Sequence, residues 1–243
     1  MKRKKPISSL RIFFPFFNDA GTVADAIQGA YEIGQKLTDD LEVVAIHGGP
    51  SSDSTWAEIQ KTKITHPELI IIDRTGNKIG YAVIQWGLKN CSKEWIFYTD
   101  GDLQYDLNQL SDLVAEQLRT GADVVNGYKT TRGDGHVRNW IGNAYRVFSR
   151  IAYRLPISDL TCDFRLIRTH KIKGIKLNSS GAAILLEMIK KLQLSRATFA
   201  QIPVSHRGRT YGKSNYKSLK LLLERIYGDT LVWNELKSYN DQI

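Results

Sequence analysis

Apolar residues in this chain come in short runs, and helically spaced segments lie between the runs. Leu10 to Phe17 carries no charge after Arg11, and Leu41 to Ile46 none after Glu42. Leu69 to Ile72 and Trp95 to Tyr98 carry none at all. Such runs, rich in aromatic and β-branched residues, predict strands buried on both faces. Pro15 cannot donate to a ladder and is expected at the end of its strand. Behind a Thr22 N-cap, Ala24, Ile27, Ala30, Tyr31 and Ile33-Gly34 share one helical face. The Gly/Pro/Ser/Asp cluster from His47 to Thr55 reads as a loop opening a helix at about Asp53 or Ser54. A Gly-bearing turn at Asn77 to Gly80 leads to a helix at Tyr81 to Leu88. After the Trp95 run come a helix at Asn108 to Arg119 and a strand at Ala122 to Gly127. This alternation with short loops predicts an α/β protein, a mostly parallel sheet flanked by helices in the manner of nucleotide-binding folds.

The second half changes character. From His136 to Leu155 an apolar stripe, Ile141, Ala144, Phe148, Ile151 and Leu155, runs three and four apart, with Arg138, Arg146, Arg150 and Arg154 off it. Such a helix either packs on its own sheet or lies in an interface, presenting arginines to lipid headgroups or substrate phosphates. Asp159 to Arg165 is a polar loop entering a short strand. Ala182 to Leu192 is a helix whose lone Glu187 reads as a surface charge. Phe199 to Ser205 is a strand, His206 to Tyr216 a basic loop with Gly and Ser, and Ser218 to Trp233 a final amphipathic helix. Residues 1–9 read as a basic flexible tail and 10–236 as a single domain, whose character changes between a first half at 10–127 and a second at 128–236.

Lys and Arg number 34 against 25 Asp and Glu, a formal charge of +9. That balance favours polyanionic partners: nucleic acid, an anionic membrane surface or phosphorylated substrates. No zinc-finger spacing, RNA-recognition signature or basic helix leading into heptads is present, so nucleic acid is not the expected partner. Cys91 and Cys162 lie far apart without metal-ligand spacing, which suits a reducing compartment. The longest apolar runs fall well short of the ~20 residues of a spanning helix. No signal peptide is expected either, because no apolar core follows Lys2 to Lys5.

Candidate chemistry gathers where the Trp95 strand ends, at Asp100-Gly101-Asp102-Leu103-Gln104. In open α/β sheets ligands bind beyond the carboxyl ends of strands, where both carboxylates would sit. Closely spaced oxygen ligands suit Mg²⁺ or Mn²⁺, which bind through one or two carboxylates plus substrate phosphates. An Asp-Gly-Asp turn that only caps the next helix is the alternative reading of the triplet alone.

Four stretches in order resemble a family-2 glycosyltransferase of the GT-A fold, and within it the dolichyl- or polyprenyl-phosphate sugar synthases. They are Pro15-Phe-Phe-Asn-Asp19; Asn77-x-x-Gly80-Tyr-Ala82 with Gly87-Leu88; the DXD-type Asp100-Gly-Asp102-Leu-Gln104-Tyr-Asp106; and Arg207-x-Arg209-Thr-Tyr-Gly212-Lys-Ser214-x-Tyr216. Asp159-Leu-Thr-Cys-Asp-Phe-Arg165 is similar to a further loop of that branch. The resemblance implies an inverting, metal-dependent transfer of a sugar from a nucleotide-diphosphate donor, with polyprenyl phosphate as the expected acceptor. It places the Mg²⁺ or Mn²⁺ on Asp100, Asp102 and Gln104, and the donor against Pro15, Phe17, Asp19, Asp53 and Asp100. Phosphate or acceptor contacts fall to Arg138, Arg165, Arg207, Arg209 and Ser214. Asp102, Arg209 and Asp163 form the catalytic set. With no spanning helix, the expected location is peripheral, at the cytoplasmic face of a membrane, held there directly or by a membrane partner.

Two departures bear on this reading. Gly48-Gly49 stands where the family has two carboxylates after its second strand, and Asp163 where the later loop usually has Gly. Gly142 also stands where this branch often has Ser, four residues after Arg138. A phosphate acceptor is already an anion and needs no base. A sugar hydroxyl does need one, and Asp163 is the candidate; a charge that fixes its loop through Arg165 is the alternative for that residue. Loss of the Gly48-Gly49 carboxylates leaves open a non-catalytic relative that serves as a glycan-assembly subunit.

Overall fold

The computed structural model describes residues 4–74, 83–89, 91–130, 136–179, 181–209, 211 and 219–240. Side chains at 136–143, 219–222 and 238–240 are outside that description. Seven strands form one sheet: β1 (Leu10–Phe16), β2 (Leu41–His47), β3 (Ile70–Asp73), β4 (Trp95–Thr99), β5 (Val124–Lys129), β6 (Phe164–Arg168) and β7 (Phe199–Val204), in the order β3-β2-β1-β4-β6-β5-β7. All are parallel except β6, which runs antiparallel between β4 and β5. The carboxyl ends of β1, β2, β4, β5 and β7 and the amino end of β6 therefore share one edge of the molecule.

Helices cover both faces. On one side α1 (Val23–Leu37), α2 (Thr55–Thr65) and α4 (Leu110–Thr120) close over Ile12, Phe14, Phe16 and Phe97. On the other, α3 (Ile84–Leu88), α7 (Ile184–Leu194) and α8 (Leu219–Asn240) close over Phe13, Val44, Ile96 and Tyr98. Alternate residues of β1 and β4 thus feed opposite cores, the reason both strands read as unbroken apolar runs. Two more helices, α5 (His136–Ala152) and α6 (Thr169–Lys173), flank β6 in sequence.

Several expectations need adjustment. Pro15 lies inside β1, paired in register with Ile46. The Phe16 carbonyl accepts from Gly48 N at 3.0 Å, so alternation turns the Pro15 nitrogen to the other edge, past the last β1–β4 pair at Phe13 and Tyr98. No donor is needed there. Thr22 does precede α1, yet its hydroxyl donates to Asp19 O and Gly101 O rather than capping. Ala24 on that helix is exposed, while Val23 and Ala26 are buried. Residues 7–9, assigned to a flexible tail, are held: Ile7 is 6% exposed and its N–H donates to Leu37 O. Glu187 is buried, accepting from the backbone of Asn178 and Ser179 and pairing with Lys191, so it is not a surface charge. The Asn77 to Gly80 turn and Tyr81-Ala82 lie outside the described residues.

The largest departure is α5. Within the helix its apolar stripe points outward: Ala144 is exposed, Phe148 is 45% and Ile151 71% exposed, and Val147 beside them 53%. Leu155, past the helix end, is buried in the core, and the Ile141 side chain lies outside the described residues. The buried positions are Tyr145 and Ser149, followed by Tyr153 just past the helix. Tyr145 meets α8, its hydroxyl bonded to Asp229 and accepting from Arg225 Nε at 3.0 Å. A polar seam, not the apolar stripe, joins α5 to the body.

Candidate active site

The shared strand edge collects the chemistry. Asp19 follows β1, Asp100 and Asp102 follow β4, and Asp163 precedes β6. Lys129 ends β5, and Arg209 follows β7. Each carboxylate is positioned by the chain around it. Asp19 Oδ2 accepts from Phe17 N at 3.0 Å, and Asp19 N donates to Thr55 Oγ1 at 2.8 Å. Thr22 Oγ1 reaches Gly101 O at 2.7 Å, tying the β1 loop to the β4 loop. A Cβ on Gly101 would lie 2.3 Å from the Phe16 ring, so this turn tolerates only glycine against the core. Leu103 has φ of +56°, a left-handed backbone costly for a branched side chain, and Gln104 N turns back to donate to Asp102 Oδ1 at 3.1 Å.

Arg209 arrives because the segment after β7 is pinned to the same loop. Tyr105 and His206 form an antiparallel bridge, Arg207 N donates to Gln104 O at 2.8 Å, and Gln104 Nε2 donates to Arg207 O at 2.9 Å. The guanidinium then lies 2.6 Å from Asp102 Oδ2 through Nη2 and 3.8 Å from Asp19 Oδ1 through Nη1. Tyr211, next but one, lays its ring against Gly21, where a Cβ would come within 2.5 Å of it.

Electrostatics at this edge are dominated by crowded acids. Burial, then the neighbouring Asp163 and Asp102, holds the Asp100 carboxyl well above the usual range. Asp102 is raised by burial against the pull of Arg209, and Asp163 by burial against Arg165 and Lys129. Asp19 is pushed up to about 6, chiefly by burial, with Phe17 N–H and Arg209 opposing and Asp102 adding to the rise. Lys129 Nζ donates to Thr161 O at 2.7 Å and brings a cation to the cluster.

This donor set fits a hard divalent cation. Asp102 Oδ2 is buried, and its close partner is the Arg209 cation at 2.6 Å. Among the described residues no group of three or more His, Cys, Asp or Glu is arranged to hold a metal ion. A pair of carboxylates completed by substrate phosphates is the arrangement Mg²⁺ commonly adopts.

Other candidate residues are placed differently. Asp53 serves the fold: its carboxylate accepts from Ala20 N at 3.1 Å and Thr55 N at 3.0 Å. These bonds hold its pKa below the usual value against burial. Arg165 is turned into the protein wall. It is 0% exposed, in register with Tyr98 on β4 and Asn126 on β5, and its guanidinium bonds to both side chains and to Cys162 O. Tyr98 O–H in turn donates to Asp163 Oδ1 at 3.5 Å, so Arg165 braces the wall behind Asp163. Arg207 is 70% exposed and pairs with Asp106, apart from the carboxylate cluster. Phe17 is 39% exposed at the mouth. The Arg138 side chain and Ser214 lie outside the described residues.

At Gly48 a Cβ would meet Phe16 O and Val83 only at 3.6 Å, so space does not demand glycine there. At Gly49 φ is +156° and a Cβ would lie 3.5 Å from the Phe17 ring. The loop's polar bonds come from elsewhere: His47 Nε2 meets Ser51 Oγ at 3.0 Å, and Ser52 N donates to Asn18 Oδ1 at 2.7 Å. Sequence reasoning missed Lys129, read Thr22 only as an N-cap, and gave Tyr211 no role of its own within the Arg207 to Tyr216 stretch. Lys129 was within reach of the rule that ligands gather at strand carboxyl ends; the other two act through contacts across the chain that carry no local signal.

Residues 11–175 match the family Glycosyl transferase family 2. Dolichol-phosphate mannosyltransferase of Pyrococcus furiosus is 27% identical over 227 residues, 89% of this chain and 62% of that protein, so the chain spans less than two thirds of this relative's length. Among solved structures, glucosyl-3-phosphoglycerate synthase of Mycobacterium tuberculosis with Mn²⁺, UDP and phosphoglyceric acid superposes with a TM-score of 0.66 at 13% identity, covering 93% of this chain and 77% of that one. The same enzyme with UDP gives a TM-score of 0.68 at 14% identity, over 93% and 80%. These structures share the GT-A fold with this chain.

Proposed function

The chain belongs to glycosyl transferase family 2, and on that footing we propose that it moves a sugar from a nucleoside-diphosphate donor to the phosphate of a polyprenyl lipid, inverting the anomeric carbon. The observation that carries the reading is the set of Asp19, Asp100 and Asp102 at the ends of β1 and β4, with Arg209 laid across two of them. The acceptor class is supported by the name of the Pyrococcus furiosus relative and by the phosphate-bearing acceptor beside UDP in the Mycobacterium tuberculosis enzyme.

In this reading Asp19 and Phe17 take the base side of the donor. Asp100, Asp102 and Gln104 hold a divalent cation, which would offset charge on the departing diphosphate. Arg209 presents a planar fork suited to phosphate and exchanges its carboxylate partners for the donor's oxygens. A phosphate oxygen of the acceptor forms the new bond to the anomeric carbon as the bond to the nucleoside diphosphate breaks, with no proton to remove. A second reading, transfer to a sugar hydroxyl, is favoured by the buried Asp163 beside Asp100, whose raised pKa suits a general base. Asp163→Asn separates the two, since it abolishes transfer to a hydroxyl and spares transfer to a phosphate.

The test is calorimetric titration of UDP, GDP, UDP-glucose and GDP-mannose with and without Mn²⁺. Metal-dependent binding of one nucleotide is expected, and it is lost in Asp102→Asn while the circular dichroism spectrum is kept. Unchanged binding in that variant would sink the site assignment. If no nucleotide binds, including CMP- and dTDP-sugars, a non-catalytic family member becomes the better reading.

A further inference from the structure

Outside the carboxylate edge, the outer face of α5 holds a cleft of about 350 Å³ lined by Tyr128, Arg146, Val147, Arg150, Ile151 and Ser158. It shares no residue with the site described above. Its polar lining offers hydrogen-bond donors: two guanidinium groups and a phenol. Neither Arg146 nor Arg150 has a carboxylate partner among the described residues, and the Tyr128 hydroxyl has no protein partner among them. Ser158 Oγ donates to Gln201 Oε1 at 2.8 Å. No acid lines the cleft. Immediately around it the surface is apolar: Val147 is 53%, Phe148 45% and Ile151 71% exposed. The neighbouring helix α8 adds Leu223, Tyr227 and Leu231, each more than half exposed and spaced four apart. Arginines set among exposed apolar side chains on one helix face are the pattern of an interfacial helix.

We infer that this cleft docks the phosphate headgroup of an anionic phospholipid, with Val147, Phe148 and Ile151 entering the interfacial layer of the membrane. Two guanidiniums without acidic partners are open to an anion, and their fork geometry matches phosphate oxygens. A free phosphate would answer the arginines and leave the apolar rim in water. A second copy of this chain, meeting the same patch across a two-fold axis, would set arginine against arginine. A lipid headgroup satisfies both halves of the patch. With α5 at the lipid surface, the adjoining end of β5, where Tyr128 precedes Lys129, brings the site edge near the bilayer.

The full chain, sedimented with vesicles of phosphatidylglycerol in phosphatidylcholine, is expected to bind, and to bind less as salt rises. Pure phosphatidylcholine vesicles should retain little. The double variant Arg146→Gln with Arg150→Gln should bind the anionic vesicles roughly 30-fold more weakly, from about 1 kcal/mol for each surface arginine. Ile151→Asp, at a position 71% exposed, should weaken binding as well with the circular dichroism spectrum kept. Calorimetric nucleotide binding should be unchanged in all of these variants. Equal binding to neutral vesicles, or full binding by the double variant, would overturn the inference. So would release from vesicles by inorganic phosphate at concentrations comparable to the lipid, which would identify free phosphate as the ligand. Self-association that disappears in Ile151→Asp, without vesicle binding, would assign the face to a second copy instead. Vesicle binding is read without donor or acceptor, so its failure is distinguishable from failure of the sugar-transfer reading.

Discussion

Asp19 is 6% exposed and carries its proton to about pH 6, against 3.8 for an ordinary aspartate. The sign of its contribution to stability follows. A carboxyl raised in the folded state is neutral in folded and unfolded chains below 3.8, and it becomes progressively destabilising as pH rises from 3.8 through about 6. The full cost above that window is about 3 kcal/mol. Asp19→Asn, which cannot ionise, should therefore gain stability over the parent as pH rises from about 4 to about 7, by up to that amount. Urea midpoints measured at each pH read the effect, and a difference constant with pH would refute it. Arg209 and Arg207 separate by the same local reasoning. Arg209 lies against two buried acids, whereas Arg207 meets only Asp106 and is 70% exposed. Arg209→Ala should lower kcat/KM by roughly 100-fold, the scale of removing one aligned donor from developing charge. Arg207→Ala should change it less than about threefold, the scale of an exposed ion pair. Equal losses in both would mean that the whole loop, not one guanidinium, carries the effect.

At the scale of elements, the β4 turn is the most constrained piece. Gly101 packs against the fully buried Phe16 ring, and its carbonyl is held by Thr22. Gly101→Ala should cost about 1–3 kcal/mol of stability by overpacking, and it should also weaken Mn²⁺-dependent nucleotide binding, because Asp100 and Asp102 flank the displaced atom. Gly121 is the control. It ends α4 at φ of +70° with no atom within 4 Å of a Cβ. Gly121→Ala should cost about 1 kcal/mol through backbone strain alone and leave nucleotide binding intact. Thermal unfolding and calorimetry on both variants check the pair. The turn was legible in the sequence as two carboxylates around a glycine after an apolar run. What was not legible is why the middle residue is glycine: the Phe16 ring against which it packs is on another strand, β1, and Thr22, which holds its carbonyl, lies 79 residues away along the chain.

Across the whole molecule, α5 is held to α8 by a buried polar seam. Asp229 is 0% exposed, with Arg225 Nε 3.7 Å from its Oδ2 and the Tyr145 hydroxyl on the same carboxylate. Asp229→Ala would leave Arg225 and Tyr145 without that partner, and it should lose about 3 kcal/mol, the scale of breaking a buried pair. Guanidinium unfolding with an unchanged m-value checks it; a loss below about 0.5 kcal/mol would mean that water replaces the carboxylate. The seam explains why the apolar stripe of α5 faces out. Its buried side carries Tyr145, bonded to α8, and Ser149, and the helix cannot present both sides to the body.

The chain's own pattern was enough to determine the α/β class, the order of strands and helices through β5, and the carboxylates at the end of β4. Each of these depends on near neighbours: apolar runs make strands, and a glycine between acids makes a turn at a strand end. The tertiary structure alone decided which charged residues face the site. Arg165 has the composition of a phosphate ligand, but β6 inserts antiparallel between β4 and β5 and places it opposite Tyr98 and Asn126, inside the wall. Lys129 enters because β5 ends at the same edge, and Arg209 because the chain after β7 pairs with Tyr105. A side chain's type limits what it can bind. Its destination depends on strand order and register, which join residues far apart in the chain, and no local spacing records them.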